Sequence, residues 1–174
     1  MDGFLDTCDA RDYWGDREKK LQILKDTHAG AFAVTGGGLY LLLYCGGCSE
    51  LPVRGAAAVS VGFVLSRALS GLAAAVFPGA REHGMLADFM KDSRRRLVAA
   101  SMVFYMAVSA GAMILLGGLC GAAAALGAVL AFLYYRRMVF REFGGVTGDL
   151  AGYFLQLCEL FMVLAAAVCH LAIS

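Results

Sequence analysis

Apolar residues in this chain gather in long blocks. They do not alternate every two residues, as in a half-buried strand, or line one face every 3.6, as in a soluble helix. Five blocks, at 29–45, 53–77, 97–116, 119–135 and 145–173, reach the ~17–25 residues that a helix needs to cross a bilayer. The run from 97 to 135 is too long for one crossing, and Gly117-Gly118 is its natural break. Polar residues collect before, between and after these blocks, most densely at 1–28. The pattern predicts an all-α, polytopic membrane helix bundle. About five transmembrane helices follow an N-terminal cytoplasmic or interfacial helix, and residues 1–174 make one integral-membrane domain.

Composition agrees. The 174 residues are 60% hydrophobic and 17% charged, against about 25% charge in an ordinary soluble domain. The net charge of +1 says little about partners, because position outweighs the sum. A lipid bilayer is the expected surrounding and no nucleic acid is expected. Residues 1–28 contain no apolar core of signal-peptide length.

Charge position sets an orientation. Thirteen of the fifteen Lys and Arg residues fall at 11–25, 81–96 and 136–141; the other two are Arg54 and Arg67. Five crossings put all three basic segments on one face, which the positive-inside rule assigns to the cytoplasm of a cell (inner) membrane. Among the six cysteines, Cys45-Gly-Gly-Cys48 is the one close pair, and a lone CxxC is weak support for zinc.

The first fifteen residues carry the clearest candidate chemistry. Asp2, Asp6 and Asp9 stand at i, i+4 and i+7, within roughly a 60° stripe of a helix. Three carboxylates so placed repel one another unless water or a cation intervenes. Inside the apolar blocks lie Arg67, Asp149 and Glu159, each costly in hydrocarbon and so expected to face the bundle interior with a partner. Asp149, Gly152, Gln156 and Glu159 share one face. The run Phe143-Gly-Gly-Val-Thr-Gly-Asp149 precedes a helix, so its amides can approach a phosphate. Carboxylates, Mg²⁺ and Arg/Lys together suit pyrophosphate chemistry: the metal neutralises phosphate oxygens while cations hold the transferring group.

Four blocks resemble the cobalamin synthase (adenosylcobinamide-GDP ribazoletransferase) family. They are Asp2-Gly-Phe-Leu-Asp6-Thr-Cys-Asp9, which follows the family's DGxxDTxD signature, and Leu21-Gln-Ile-Leu-Lys25-Asp26-Thr-His-Ala-Gly30. The others are Leu65-Ser-Arg67 with Pro78-Gly-Ala-Arg81, and Gly144-Gly-Val-Thr-Gly-Asp149 with Glu159 ten residues on. The resemblance implies an inner-membrane transferase of late vitamin B12 synthesis. It joins adenosylcobinamide-GDP to α-ribazole or its 5′-phosphate and releases GMP with Mg²⁺. By position it implies Asp2, Asp6 and Asp9 as metal ligands, and Lys25, Asp26, Arg67 and Asp149 as catalytic residues. Arg81, Thr147, Gly148 and Glu159 are implied on the substrate side, and a homo-oligomer stays open. One departure stands out. Family members usually carry several dozen residues before DGxxDTxD, including further apolar spans, whereas Asp2 here follows Met1 directly. Chain ends fray, which puts the hold on Asp2 in question.

Two other readings compete. A CDP-alcohol phosphotransferase-like enzyme also presents spaced aspartates to Mg²⁺, but its longer aspartate pattern is missing. A transporter or assembly subunit would use Arg67, Asp149 and Glu159 as an ion path, and leaves the aspartate triad unexplained.

Overall fold

A computed structural model describes residues 1–26, 28–80 and 95–173. Two short helices, α1 (Asp2–Asp12) and α2 (Arg17–Ile23), precede four long ones: α3 (Ala31–Ser49), α4 (Val53–Val76), α5 (Arg95–Met138) and α6 (Gly148–Ile173). All four long helices are apolar and long enough to cross a membrane, so the chain is a multi-pass membrane protein. The expected N-terminal helix is two, separated by the extended residues around Tyr13. Helix α1 starts at its first possible residue, with the Met1 carbonyl accepting from the N–H groups of Phe4 (2.9 Å) and Leu5 (3.0 Å).

Helix α5 settles the number of crossings. At 44 residues a straight helix would run about 66 Å, twice the hydrocarbon thickness. It breaks at Gly118, whose φ of 57° and ψ of −127° are outside helical range, a backbone state that glycine adopts without strain. The chain then turns back on itself. A Cβ on Gly121 would collide with the Met113 carbonyl, eight positions earlier. Along α4, Ala58 meets Gly117, Gly62 meets Met113 and Gly71 meets Met102, while Phe77 stacks on Phe132 at 5.9 Å. Residues 102 and 132 therefore lie at the same end of the bundle, and the two arms are antiparallel. The block boundary read at Gly117-Gly118 is this hairpin tip, and it brings the crossings to five.

Helix α6 is central. It packs on α1, α3, α4 and α5, whereas α3 is held mainly by α1 and α6. Glycines allow the closest approaches: Gly127 lies against the Phe161 backbone and Gly47 against Val163. The core is built from Met113, Tyr135, Phe143, Leu150, Phe154 and Met162, all fully buried. Large apolar side chains such as Leu42, Leu115 and Leu126 point outward, as a lipid-facing surface requires.

Lys20, Arg95 and Arg137 consequently share one end of the bundle, with α1 and α2, and Glu50 sits at the other. Cysteines placed singly at these four positions should react with a membrane-impermeant thiol reagent from one side for the first three and from the opposite side for Glu50→Cys. Labelling of Lys20→Cys and Arg95→Cys from opposite sides would contradict the five-crossing bundle.

Candidate functional site

At the end of the bundle that carries the basic segments, α1 lies across the first turns of α3 and α6. Phe4 anchors it, stacked on Tyr153 at 5.3 Å and tilted against Tyr40 at 5.1 Å. Gly3 provides the closest approach, since a Cβ there would stand 2.5 Å from the Asp149 carbonyl oxygen. The first turn of α1 thus lies on the first turn of α6, and the acidic stripe reaches Asp149. Asp2 is the first residue of this packed helix.

The charges report the same assembly. Partial burial raises the Asp6 carboxyl above the ordinary carboxylate range, and the negative fields of Asp2, Asp149 and Asp9 raise it further. Three carboxylates from two distant parts of the chain therefore act on a fourth. Among the described residues no three His, Cys, Asp or Glu side chains are gathered as a ready-made metal cage. Mg²⁺ does not need one, because it is commonly bound through one or two carboxylates plus substrate phosphates and water. Hard oxygen donors whose like charge has no ion-pair partner among the described residues fit such an ion.

Asp9 has a second occupation. Its Oδ2 accepts from the Gly30 N–H at 2.6 Å and its Oδ1 from the Ala33 N–H at 2.9 Å. It caps the N-terminus of α3 from another helix, satisfying amides that have no intrahelical partner. Gly30 admits it, since a Cβ there would stand 2.7 Å from Asp9 Oδ1. Asp26 lies nearby, accepting from the His28 N–H at 3.1 Å and touching His28 Nδ1 at 2.9 Å. Asp6, Asp9, Asp26, His28, Trp14 and Phe32 are among the residues lining an open cavity of about 420 Å³. Lys25 is exposed just before Asp26.

The glycine-rich run leads into α6. A π-helical turn at Val139–Phe143 ends on Gly144 in the left-handed region (φ 78°). Val146 then pairs with the chain leaving α4: its N–H donates to the Pro78 carbonyl (2.9 Å), and its carbonyl accepts from the Ala80 N–H (3.0 Å). Gly145 is tight against this pair, its notional Cβ 2.6 Å from the Pro78 oxygen. Two sequence blocks 66 positions apart are thereby joined by backbone. Arg81, the next residue after Ala80, lies outside the described residues, as do His83, Lys91 and Arg94. Thr147 caps α6, its Oγ1 accepting from the Leu150 N–H at 3.2 Å, and it is buried. Gly148 is open, with nothing within 4 Å of its notional Cβ.

Arg67 and Glu159 lie elsewhere. Glu159 is ten residues beyond Asp149 on α6, about 15 Å deeper along the helix. It is buried and pairs with Arg67 Nη1, which also donates to Ser66 Oγ at 2.9 Å. The pair joins α4 to α6 and does not reach the aspartate cluster. Ser66 is the polar partner here, whereas Ser60 bonds back to the Ala56 carbonyl of its own helix.

A latch on α1 was not legible beforehand. Arg11 Nη1 donates to Tyr153 Oη at 3.0 Å, and Glu142 of the π turn receives both Lys20 Nζ (3.2 Å) and Arg11 Nε (3.7 Å). The pull of Glu142 and the Tyr153 contact keep the Arg11 guanidinium charged although burial opposes it. These partners are more than 120 positions apart, so no local pattern signals them. The same burial of α1 pushes the Cys8 thiol up to about 11, which makes it an inert packing residue.

A family model described as cobalamin-5-phosphate synthase matches residues 1–167. The chain belongs to that family. A relative from Lachnoclostridium phytofermentans, named adenosylcobinamide-GDP ribazoletransferase, is 42% identical over 168 residues, covering 97% of this chain and 64% of the relative. One of the same name from Pseudomonas fluorescens (strain SBW25) is 33% identical over 173 residues, covering 97% and 69%. The chain thus spans about two thirds of the length of these curated relatives. No solved structure matches it significantly. The family match covers α1, the glycine-rich run, Arg67 and Glu159.

The contact at Gly3 supplies a direct test of the site. Gly3→Ala should lift α1 from α6 and lower any Mg²⁺-dependent activity at least tenfold, with insertion in the membrane retained. Unchanged activity would mean that the α1–α6 contact does not shape the site.

Proposed function

We propose that this chain is a Mg²⁺-dependent transferase facing the cytoplasm of the cell membrane, joining adenosylcobinamide-GDP to α-ribazole or its 5′-phosphate with release of GMP. The observation that carries it is the convergence of the Asp2–Asp6 stripe on Asp149 at the open start of α6, in a chain of this family. Asp6, with Asp2 or Asp149 beside it, would hold Mg²⁺ together with substrate phosphate oxygens and water, and the ion when bound supplies charge neutralisation at the pyrophosphate. Asp9 keeps α3 in place beside them. The first amides of α6, with the open Gly148, donate toward phosphate oxygens, and the Thr147 cap holds that turn rigid. A ribazole hydroxyl oxygen bonds to the cobinamide-linked phosphorus, the P–O–P link breaks, GMP leaves and one proton is released. The membrane seats the site at the lipid boundary, and the basic segments mark its cytoplasmic side.

The test is GMP release from adenosylcobinamide-GDP and α-ribazole by the purified chain in liposomes, with and without Mg²⁺. Release that depends on all three supports the reading. Release of CMP from a CDP-alcohol instead would move the chain to the phosphotransferase alternative.

A further inference from the structure

Arg17 opens α2 and is absent from every site reading above. Its guanidinium lies along the glycine-rich turn: a Cβ on Gly144 would stand 2.6 Å from Nη1 and 2.9 Å from Cζ. Gly144 is held there in the left-handed region, φ 78°, so glycine serves twice, for the backbone state and for the seat of the guanidinium. The neighbouring cations are committed, with Lys20 on Glu142 and Arg11 on Glu142 and Tyr153. Arg17 is exposed, and among the described residues it takes part in no ion pair or hydrogen bond. An exposed fork laid against a backbone turn, five residues before Asp149, is an unusual place for an unpaired arginine. Solvent-facing arginines more often extend freely, since pinning one costs side-chain entropy.

We infer that Arg17 is a substrate-holding residue, whose guanidinium takes phosphate oxygens of a nucleoside diphosphate at the mouth of α6. Guanidinium presents a planar set of N–H donors that matches two phosphate oxygens at once. Asp149 opens α6 five residues after Gly144, and an anion beside that carboxylate requires a screening cation. Arg17 supplies positive charge on the loop side while Mg²⁺ would supply it on the α1 side. The assignment rests on the transferase reading for the identity of the diphosphate, and on the Gly144 seat for its location.

GDP with Mg²⁺ is the probe, its binding to the detergent-solubilised chain followed by equilibrium dialysis, with guanosine as the phosphate-free control. Arg17→Ala should weaken GDP about ten- to hundredfold, the range expected for hydrogen bonds to a charged group, and leave guanosine unchanged. Arg17→Lys should recover only part of the loss, because charge returns without the fork. Gly144→Ala, which displaces the guanidinium from its seat, should weaken GDP in the same direction.

GDP affinity within twofold of wild type in Arg17→Ala would overturn the assignment, as would equal losses for GDP and guanosine, or no GDP binding by the wild-type chain. A lower thermal midpoint with GDP affinity retained would make Arg17 a structural residue and overturn it too. Failure of the transferase reading looks different: GDP binding stays Arg17-dependent while no GMP is released from adenosylcobinamide-GDP.

Discussion

Asp6→Asn should abolish GMP release, by a thousandfold or more, while leaving the ligand-free protein at least as stable as wild type. The two halves of this expectation have one cause. Asp6 sits where the fields of Asp2, Asp149 and Asp9 add, and its carboxyl is raised above its ordinary value by burial and by those neighbours. A raised carboxyl favours the protonated form in the fold. Its contribution to stability is therefore present below the unfolded pKa and is lost as pH rises through the folded one. Above the folded value wild type carries the full repulsion, and the neutral amide relieves it. The same substitution removes a hard anionic donor that Mg²⁺ would use. Thermal midpoints with and without Mg²⁺, over a pH series, read both effects. Wild type should gain stability on adding Mg²⁺ near pH 7, and Asp6→Asn should gain little. Wild-type turnover in the variant would remove Asp6 from the metal site.

The second large effect concerns the Arg67–Glu159 pair. Glu159 is buried and Arg67 Nη1 meets it from α4 with Ser66 alongside. Glu159→Ala should destabilise the bundle by about 3 kcal/mol, the low end for losing one partner of a buried pair, because the Arg67 side chain is half exposed. Replacing both residues by leucine should return most of the loss, since no charge is then left unmatched. Denaturation of the three variants in mixed micelles measures this. Arg67→Leu provides the contrast. A phosphate-holding Arg67 would give a folded protein with weakened binding of the GDP substrate, whereas a helix-pairing Arg67 gives a less stable one with unchanged affinity. The distance of the pair from the aspartate cluster favours the second outcome.

Much of the architecture can be read directly from the amino-acid order. Spans of about twenty apolar residues have few other fates, and a break at adjacent glycines in an overlong run signals a hairpin because no other residue pair there could reverse the chain. The 3–4 spacing of Asp2, Asp6 and Asp9 likewise shows on a helical wheel. Partnerships between helices do not. Ser66 meets Glu159 because of the rotation of α4 against α6, which depends on which glycines let the helices approach. Glu142 meets Arg11 and Lys20 because a π-helical turn re-aims one side chain, and nothing in Val139–Phe143 announces that turn. Asp9 reads as the third member of a metal triad in one dimension, and its bonds to the α3 amides show only when α1 is laid across them.

That cap places two demands on a single side chain. The opening turn of α3 needs an acceptor for each of two amides, at a reach set by a single methylene. The Mg²⁺ proposed beside it would gain from a full negative charge at the same spot. Glutamate would keep the charge and overshoot the amides. Asparagine would keep the reach, yet turn one acceptor into a donor facing another donor. Position 9 is thus doubly constrained, and few substitutions there could be neutral even if Asp9 never touches the metal.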